Sequence, residues 1–132
     1  MKKAMVFGAG ISGVGAKKLL EHLNYNVILV DDKLGVSSED GKKLLGDIEL
    51  FIKSPGVPYN ELVLEAKKNQ IKVIDEIELC YEYMVQYNVN SKIVAITGTN
   101  GKTTTTTKIT ELLQYCGYRA EYAGNIGKSF AE

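Results

Sequence analysis

The residues best suited to chemistry form an octet, Thr97-Gly98-Thr99-Asn100-Gly101-Lys102-Thr103-Thr104. An apolar run precedes it and a helical pattern follows, so its main-chain amides gather at the positive end of a helix. Such a loop can cradle a polyphosphate. Lys102 can reach the β and γ phosphates, and the Thr103 hydroxyl can ligate Mg²⁺. The octet departs from the general phosphate loop in carrying Ile96, not Gly, five residues before Gly101.

A second turn, Gly8-Ala9-Gly10-Ile11-Ser12-Gly13, also lies between an apolar run and a helical pattern. Small residues there let the backbone approach a pyrophosphate. Asp31 follows about twenty residues on, at the end of the next strand, where an acidic side chain can accept from a ribose hydroxyl. This half of the chain fits a nucleotide without naming it, and a nicotinamide-dependent dehydrogenase remains open on these residues alone. The third turn, Ala123-Gly124-Asn125-Ile126-Gly127, reads on its own as a bend relying on glycine.

Short apolar runs alternating with helical patterns predict an α/β fold with a parallel sheet covered on both faces. Strands are expected at Ala4–Phe7, Val27–Val30, Ile48–Ile52 and Lys72–Ile74. Helices are expected at Ser12–Leu23, weakly at Ser37–Leu45, at Glu61–Asn69 and at Asp75–Tyr87. Ile11, Val14, Leu19, Leu20 and Leu23 are the expected inner face of the first helix; Ile77, Cys80, Tyr81 and Met84 belong to that of the last. Ser54-Pro55-Gly56 interrupts the pattern, and Asn88–Ser91 reads as a linker. Beyond it, a strand at Lys92–Ile96, a helix at Lys102–Tyr115 and a strand at Tyr118–Tyr122 are expected. The organisation is thus a first unit over residues 1–90 and an incomplete second unit over residues 91–132. An unpaired edge at Lys92–Ile96 would invite association with another chain, so an oligomer through the second unit is conceivable.

Sixteen basic residues balance sixteen acidic ones, so no global charge draws the chain to nucleic acid or an anionic membrane. No apolar run approaches the ~20 residues of a membrane span, and the start is too short in its apolar part for a secretory signal. A cytoplasmic protein is expected. Cys80 and Cys116 lack metal-ligand spacing and read as reduced thiols in helices. His22 reads as a surface residue and the eight tyrosines as packing or interface residues. Glu76 and Glu78 point apart on a helix, which predicts solvated or capping roles.

The octet resembles the adenosine triphosphate loop of the Mur ligase and folylpolyglutamate synthase superfamily. The early GxGxSG turn, the strand ending in Asp31, the Ser54-Pro55-Gly56 turn, Asp75-Glu76-Ile77-Glu78-Leu79 and the Gly124-Asn125-Ile126-Gly127 turn occur in the order found in its D-glutamate-adding branch. That resemblance covers essentially the whole chain. It implies a Rossmann-like first domain that binds the uridine diphosphate part of UDP-N-acetylmuramoyl-L-alanine, followed by the truncated start of a P-loop ATPase domain. Gly10, Ile11, Ser12 and Gly13 would then hold the uridine diphosphate, with Asp31 and Asp32 at the uracil and ribose. Gly56 would border the uracil, and Asn125 would contact the muramoyl group. Gly98, Thr99, Asn100, Gly101, Lys102, Thr103 and Thr104 would bind ATP, with Thr103 on Mg²⁺ and Lys102 and Thr103 as the catalytic residues. The implied reaction activates the L-alanyl carboxylate as an acyl phosphate, which the D-glutamate amine attacks in peptidoglycan precursor synthesis. The family's remaining catalytic residues lie beyond Glu132, so the 132 residues alone are expected to be inactive. A sibling ligase, or a nucleotide-binding module without catalysis, are the alternatives.

Overall fold

The computed structural model describes residues 1–124 and 127–132. Four parallel strands, β1 (Lys3–Phe7), β2 (Asn26–Val30), β3 (Leu50–Lys53) and β4 (Lys72–Ile74), form one sheet in the order β2-β1-β3-β4. Phe7 lies opposite Val30 on one side and Lys53 on the other, so the carboxyl ends of the three strands are level.

Period-two alternation distributes the side chains of β1 and β3 between two cores. Met5, Phe7 and Phe51 pack on one face with Leu62, Val63 and Ala66 of α3 (Glu61–Lys68), and Phe7 meets Phe51 edge to face at 6.3 Å. Ala4, Val6, Leu50 and Ile52 pack on the other with Ala16 and Leu20 of α1 (Ile11–His22) and Leu79 of α4 (Glu76–Gln86). The short α2 (Ser38–Lys43) lies against α3, and α1 against α4. The α/β class and parallel sheet therefore stand as expected, with β2 as a half-buried edge and not a buried strand.

The helix faces differ from expectation. On α1 the buried residues are Ser12, Gly13, Gly15, Ala16 and Leu20, while Ile11 and Val14 are exposed. Small side chains let this helix lie close to the sheet, which rotates its larger residues outward. On α4 the buried set is Glu76, Leu79 and Cys80, an i, i+3, i+4 stripe, and Ile77 and Tyr81 face solvent. Burial of Cys80, with Glu76 and Asp75 nearby, pushes its thiol up to about 12; Cys116 is exposed.

The second region also departs from expectation. Neither Lys92–Ile96 nor Tyr118–Tyr122 forms a strand, and the only regular element after Gln86 among the described residues is α5 (Lys102–Tyr115). A helix closes its hydrogen bonds internally, whereas a strand requires a neighbour. Ile93 and Val94 are accordingly exposed, and the strand edge on which association was expected is not formed. No helix among the described residues is long and apolar enough to cross a membrane.

Candidate nucleotide-binding sites

In the order β2-β1-β3-β4 the connection after β1 runs toward β2 and that after β3 runs the opposite way toward β4, which makes the carboxyl ends of β1 and β3 the switch point of the sheet. Two turns meet there. The Gly8–Gly10 turn follows β1, with Gly8 at φ +104° and its amide donating to the Val30 carbonyl at 2.8 Å. The Ser54–Val57 turn follows β3, closed by the Val57 amide on the Ser54 carbonyl at 3.1 Å. Buried Ser54 joins them, its hydroxyl lying 3.4 Å from the Gly8 carbonyl oxygen. A side chain at Gly13 would stand 1.8 Å from that same oxygen, so glycine is required where α1 crosses the turn.

Helix entry separates the elements into two groups. Ser37, Asn60 and Asp75 cap α2, α3 and α4 by accepting from the Asp40, Val63 and Glu78 amides at 3.2, 3.3 and 2.8 Å. These helices also carry acidic residues in their first turns. In contrast, α1 and α5 begin at Gly10 and Gly101, with no side-chain cap and no acidic residue in the first turn. Their first-turn amides therefore meet no capping side chain and no acidic residue of their own helix. The contrast coincides with the two turns singled out by sequence.

At the first turn, Gly10 is the extended N-cap, Ile11 is exposed, Ser12 is buried and Gly56 lies exposed on the facing turn. Asp31 and Asp32 stand just past β2, and both carboxylates are already engaged. Asp31 Oδ2 accepts from the Ala9 amide at 2.9 Å, and Oδ1 from the Lys33 and Leu34 amides at 3.0 and 3.1 Å. Asp32 Oδ1 accepts from the Ser38 amide and hydroxyl at 2.7 and 2.6 Å. These bonds, led by that from Ala9 for Asp31 and from the Ser38 hydroxyl for Asp32, hold both groups below the usual carboxylate range.

At the second turn, Gly98 and Gly101 adopt φ +153° and +77°. Lys102 folds back so that Nζ donates to the Gly98 carbonyl and, at 3.4 Å, to that of Thr99. Thr106, Thr107 and Thr110 turn their hydroxyls onto carbonyls four residues earlier. Thr99, Asn100, Thr103 and Thr104 are exposed around the turn. Asn125 lies outside the described residues.

One residue read from sequence as solvated or capping is neither. Glu76 is 3% exposed and accepts from the Ser129 hydroxyl and from the Ala131 amide at 3.0 Å. Its carboxyl group lies at the start of α4. Ser129 is itself buried and seats against Gly15, where an added Cβ would come within 2.0 Å of its hydroxyl oxygen. Lys18 pairs with Glu132 beside it. Two acids following β4 gave a sequence signal for a cap, which Asp75 supplies, but no signal for this distant contact. His22 is exposed, as expected.

The fold is thus a parallel α/β sheet with an uncapped glycine turn at its switch point, followed by a second uncapped glycine turn bearing a lysine. No family model matches the chain. Named relatives do. Over 132 residues it is 56% identical to a UDP-N-acetylmuramoylalanine–D-glutamate ligase of Fusobacterium nucleatum, covering 100% of this chain and 31% of the relative. Proteins of the same name from Lachnospira eligens and Aquifex aeolicus are 39% and 38% identical, each over 98% of this chain and 32% and 30% of the relative. The chain is a homologue of the UDP-N-acetylmuramoylalanine–D-glutamate ligases along its whole length, and it spans about a third of theirs.

Proposed function

We propose that this chain is the substrate- and ATP-loop portion of a ligase that adds D-glutamate to UDP-N-acetylmuramoyl-L-alanine in the cytoplasm. The observation that carries the reading is the pair of uncapped, acid-free helix starts at Gly10 and Gly101 in a chain homologous throughout to such ligases. Residues 1–90 form the uridine diphosphate-binding unit. Gly10, Ile11, Ser12 and Gly13 offer the α1 amides to the diphosphate, and Asp31, Asp32 and Gly56 border the nucleoside. Asn125 is assigned to the muramoyl group.

Residues 91–132 form the beginning of the ATP-binding unit. The turn suits a triphosphate: it is exposed, its glycines adopt positive φ, and a cation is tethered across it. Gly98 to Thr104 bind ATP there, Lys102 neutralises phosphoryl charge, and the Thr103 hydroxyl is the Mg²⁺ ligand this segment offers. Bound Mg²⁺ would neutralise phosphate charge. Activation places the γ phosphoryl group on the L-alanyl carboxylate with loss of ADP. Attack by the D-glutamate amine then forms the amide and releases phosphate.

Calorimetry with UDP-N-acetylmuramoyl-L-alanine, ATP and NAD tests this reading. The first two should bind and NAD should not; binding of NAD alone would replace the ligase reading with a dehydrogenase one. With all three ligase substrates, the 132 residues alone should give no product above a blank.

A further inference from the structure

Asp31 occupies the position where an acidic side chain was expected to meet the ribose, yet its carboxylate is spent on the chain's own backbone. Oδ2 takes the Ala9 amide from the middle of the glycine turn, 22 residues earlier. Oδ1 takes the Lys33 and Leu34 amides of its own turn. The group thus spans two loops on adjacent strands, β1 and β2, which are level at Phe7 and Val30. The Asp31 amide also donates to the Val36 carbonyl at 2.9 Å, fixing the carboxylate's own backbone.

We propose that Asp31 is a positioning residue that presets the Gly8–Gly10 turn for a nucleoside diphosphate through the Ala9 amide, and that its main contribution is not contact with the ribose.

Two physical points support this. A turn of Gly-Ala-Gly is conformationally free, so fixing it before binding removes an entropic cost from binding itself. The amide removed from the anion's reach is Ala9, which leaves the α1 amides of Ile11, Ser12 and Gly13 to face it; the Val14 amide already bonds the Gly10 carbonyl at 2.9 Å. A negative charge so near an anion site would repel the ligand unless neutralised, and three amide donors spread it into the backbone. Asparagine cannot substitute, because it has one acceptor oxygen where both carboxylate oxygens are used.

The inference rests on the uridine diphosphate reading above, and its test separates the two. The probes are UDP and 2′-deoxy-UDP, titrated into the whole chain and into Asp31→Asn, with Ala9 amide exchange followed by NMR without ligand. The Ala9 amide should be protected in the parent chain and should exchange at least about tenfold faster in the variant. Affinity for UDP and 2′-deoxy-UDP should fall by the same factor, roughly tenfold to a hundredfold. A loss seen with UDP and absent with 2′-deoxy-UDP would make Asp31 a ribose ligand and overturn the proposal, as would unchanged Ala9 exchange. If neither probe binds the parent chain, the uridine reading fails while Ala9 exchange still decides the brace. Should Asp31→Asn not fold, the same amide in the parent chain must lose protection on acidification before the sheet amides do; simultaneous loss would refute the brace.

Discussion

The turn after Phe7 and the turn before Lys102 are built alike, each delivering an uncapped helix from a glycine, but they stand on opposite foundations. The first rests on a sheet buried on both faces, and Ser54, Gly13 and Asp31 hold it from three sides. The second rests on chain that forms no strand, and its helix buries Thr110 alone. Local sequence suffices to write a glycine turn and a helix. A sheet beneath them requires partners from elsewhere in a chain. Shape is therefore built into the first site, while in the second the helix and the tethered lysine supply what order there is.

Replacing a glycine in each turn tests that difference most severely. Gly13→Ala drives a methyl group into the Gly8 carbonyl at 1.8 Å, a backbone clash that cannot be relieved by a rotamer change. The expected loss is at least about 3 kcal/mol, the upper range of overpacking, despite the ~1 kcal/mol gained in helix propensity. Gly101→Ala meets nothing within 4 Å and suffers only from φ +77°, about 1 to 2 kcal/mol confined to the start of α5. Thermal unfolding followed by circular dichroism should collapse for the first variant and keep its main transition in the second. Equal loss in both would mean that the two turns share one foundation.

The contact between the regions should break next. Glu76→Ala leaves the buried Ser129 hydroxyl without its acceptor, a cost of about 1 to 3 kcal/mol, and leaves the half-buried Ala131 amide only the Ser129 hydroxyl oxygen at 3.1 Å. Hydrogen exchange at Ala131 should rise sharply while the β1 and β3 amides stay protected. Loss of protection throughout the sheet would show that Glu76 supports α4 itself and not the docking of residues 127–132.

Acid should divide the regions in the same sense. Asp31, Asp32, Asp40, Asp47 and Glu61 all lie in the first and are held low, chiefly by the Ala9 amide, the Ser38 hydroxyl, Lys43, Lys3 and Lys42 respectively. A carboxylate depressed by folding contributes fully above its unfolded pKa, about 4, and the contribution vanishes as pH falls through the folded value. The melting temperature of the sheet should thus change little between about pH 5 and 7 and drop below about pH 4. In the second region only Glu132, beside Lys18, shows such depression among the described residues. Exchange within α5 should therefore respond less; a sheet indifferent to acid would count against these bonds.

Most of the first unit was legible because strands and helices of a doubly covered sheet write period two and period 3.6 into the chain. The glycine turns were legible because their residue types serve few other purposes. What escaped depends on long separations. The bond from the Ala9 amide to Asp31 escaped because it crosses from one strand end to the next. Ile11 and Val14 looked buried because an apolar stripe says nothing of how closely small residues let a helix approach. Strands at Lys92–Ile96 and Tyr118–Tyr122 were read from composition, which records a preference for a sheet and not its availability.

The smallest effect concerns how helices end in the two regions. α3 and α5 close with the same paired bonds, Gln70 to Lys67 and Ile71 to Ala66 in one, Gly117 to Gln114 and Tyr118 to Leu113 in the other. α5 places glycine in the left-handed position at φ +84°, whereas α3 places Gln70 there at φ +58°. A side chain with a Cβ is disfavoured in that conformation by about 1 kcal/mol. Gln70→Gly should consequently raise the stability of the sheet unit by up to about 1 kcal/mol, less the greater freedom of glycine in the unfolded chain. Gly117→Gln should loosen the end of α5 by a similar amount without moving the main transition. Matched denaturant titrations give both values, and a destabilising Gln70→Gly would mean that the Gln70 side chain contributes more by packing than its backbone costs.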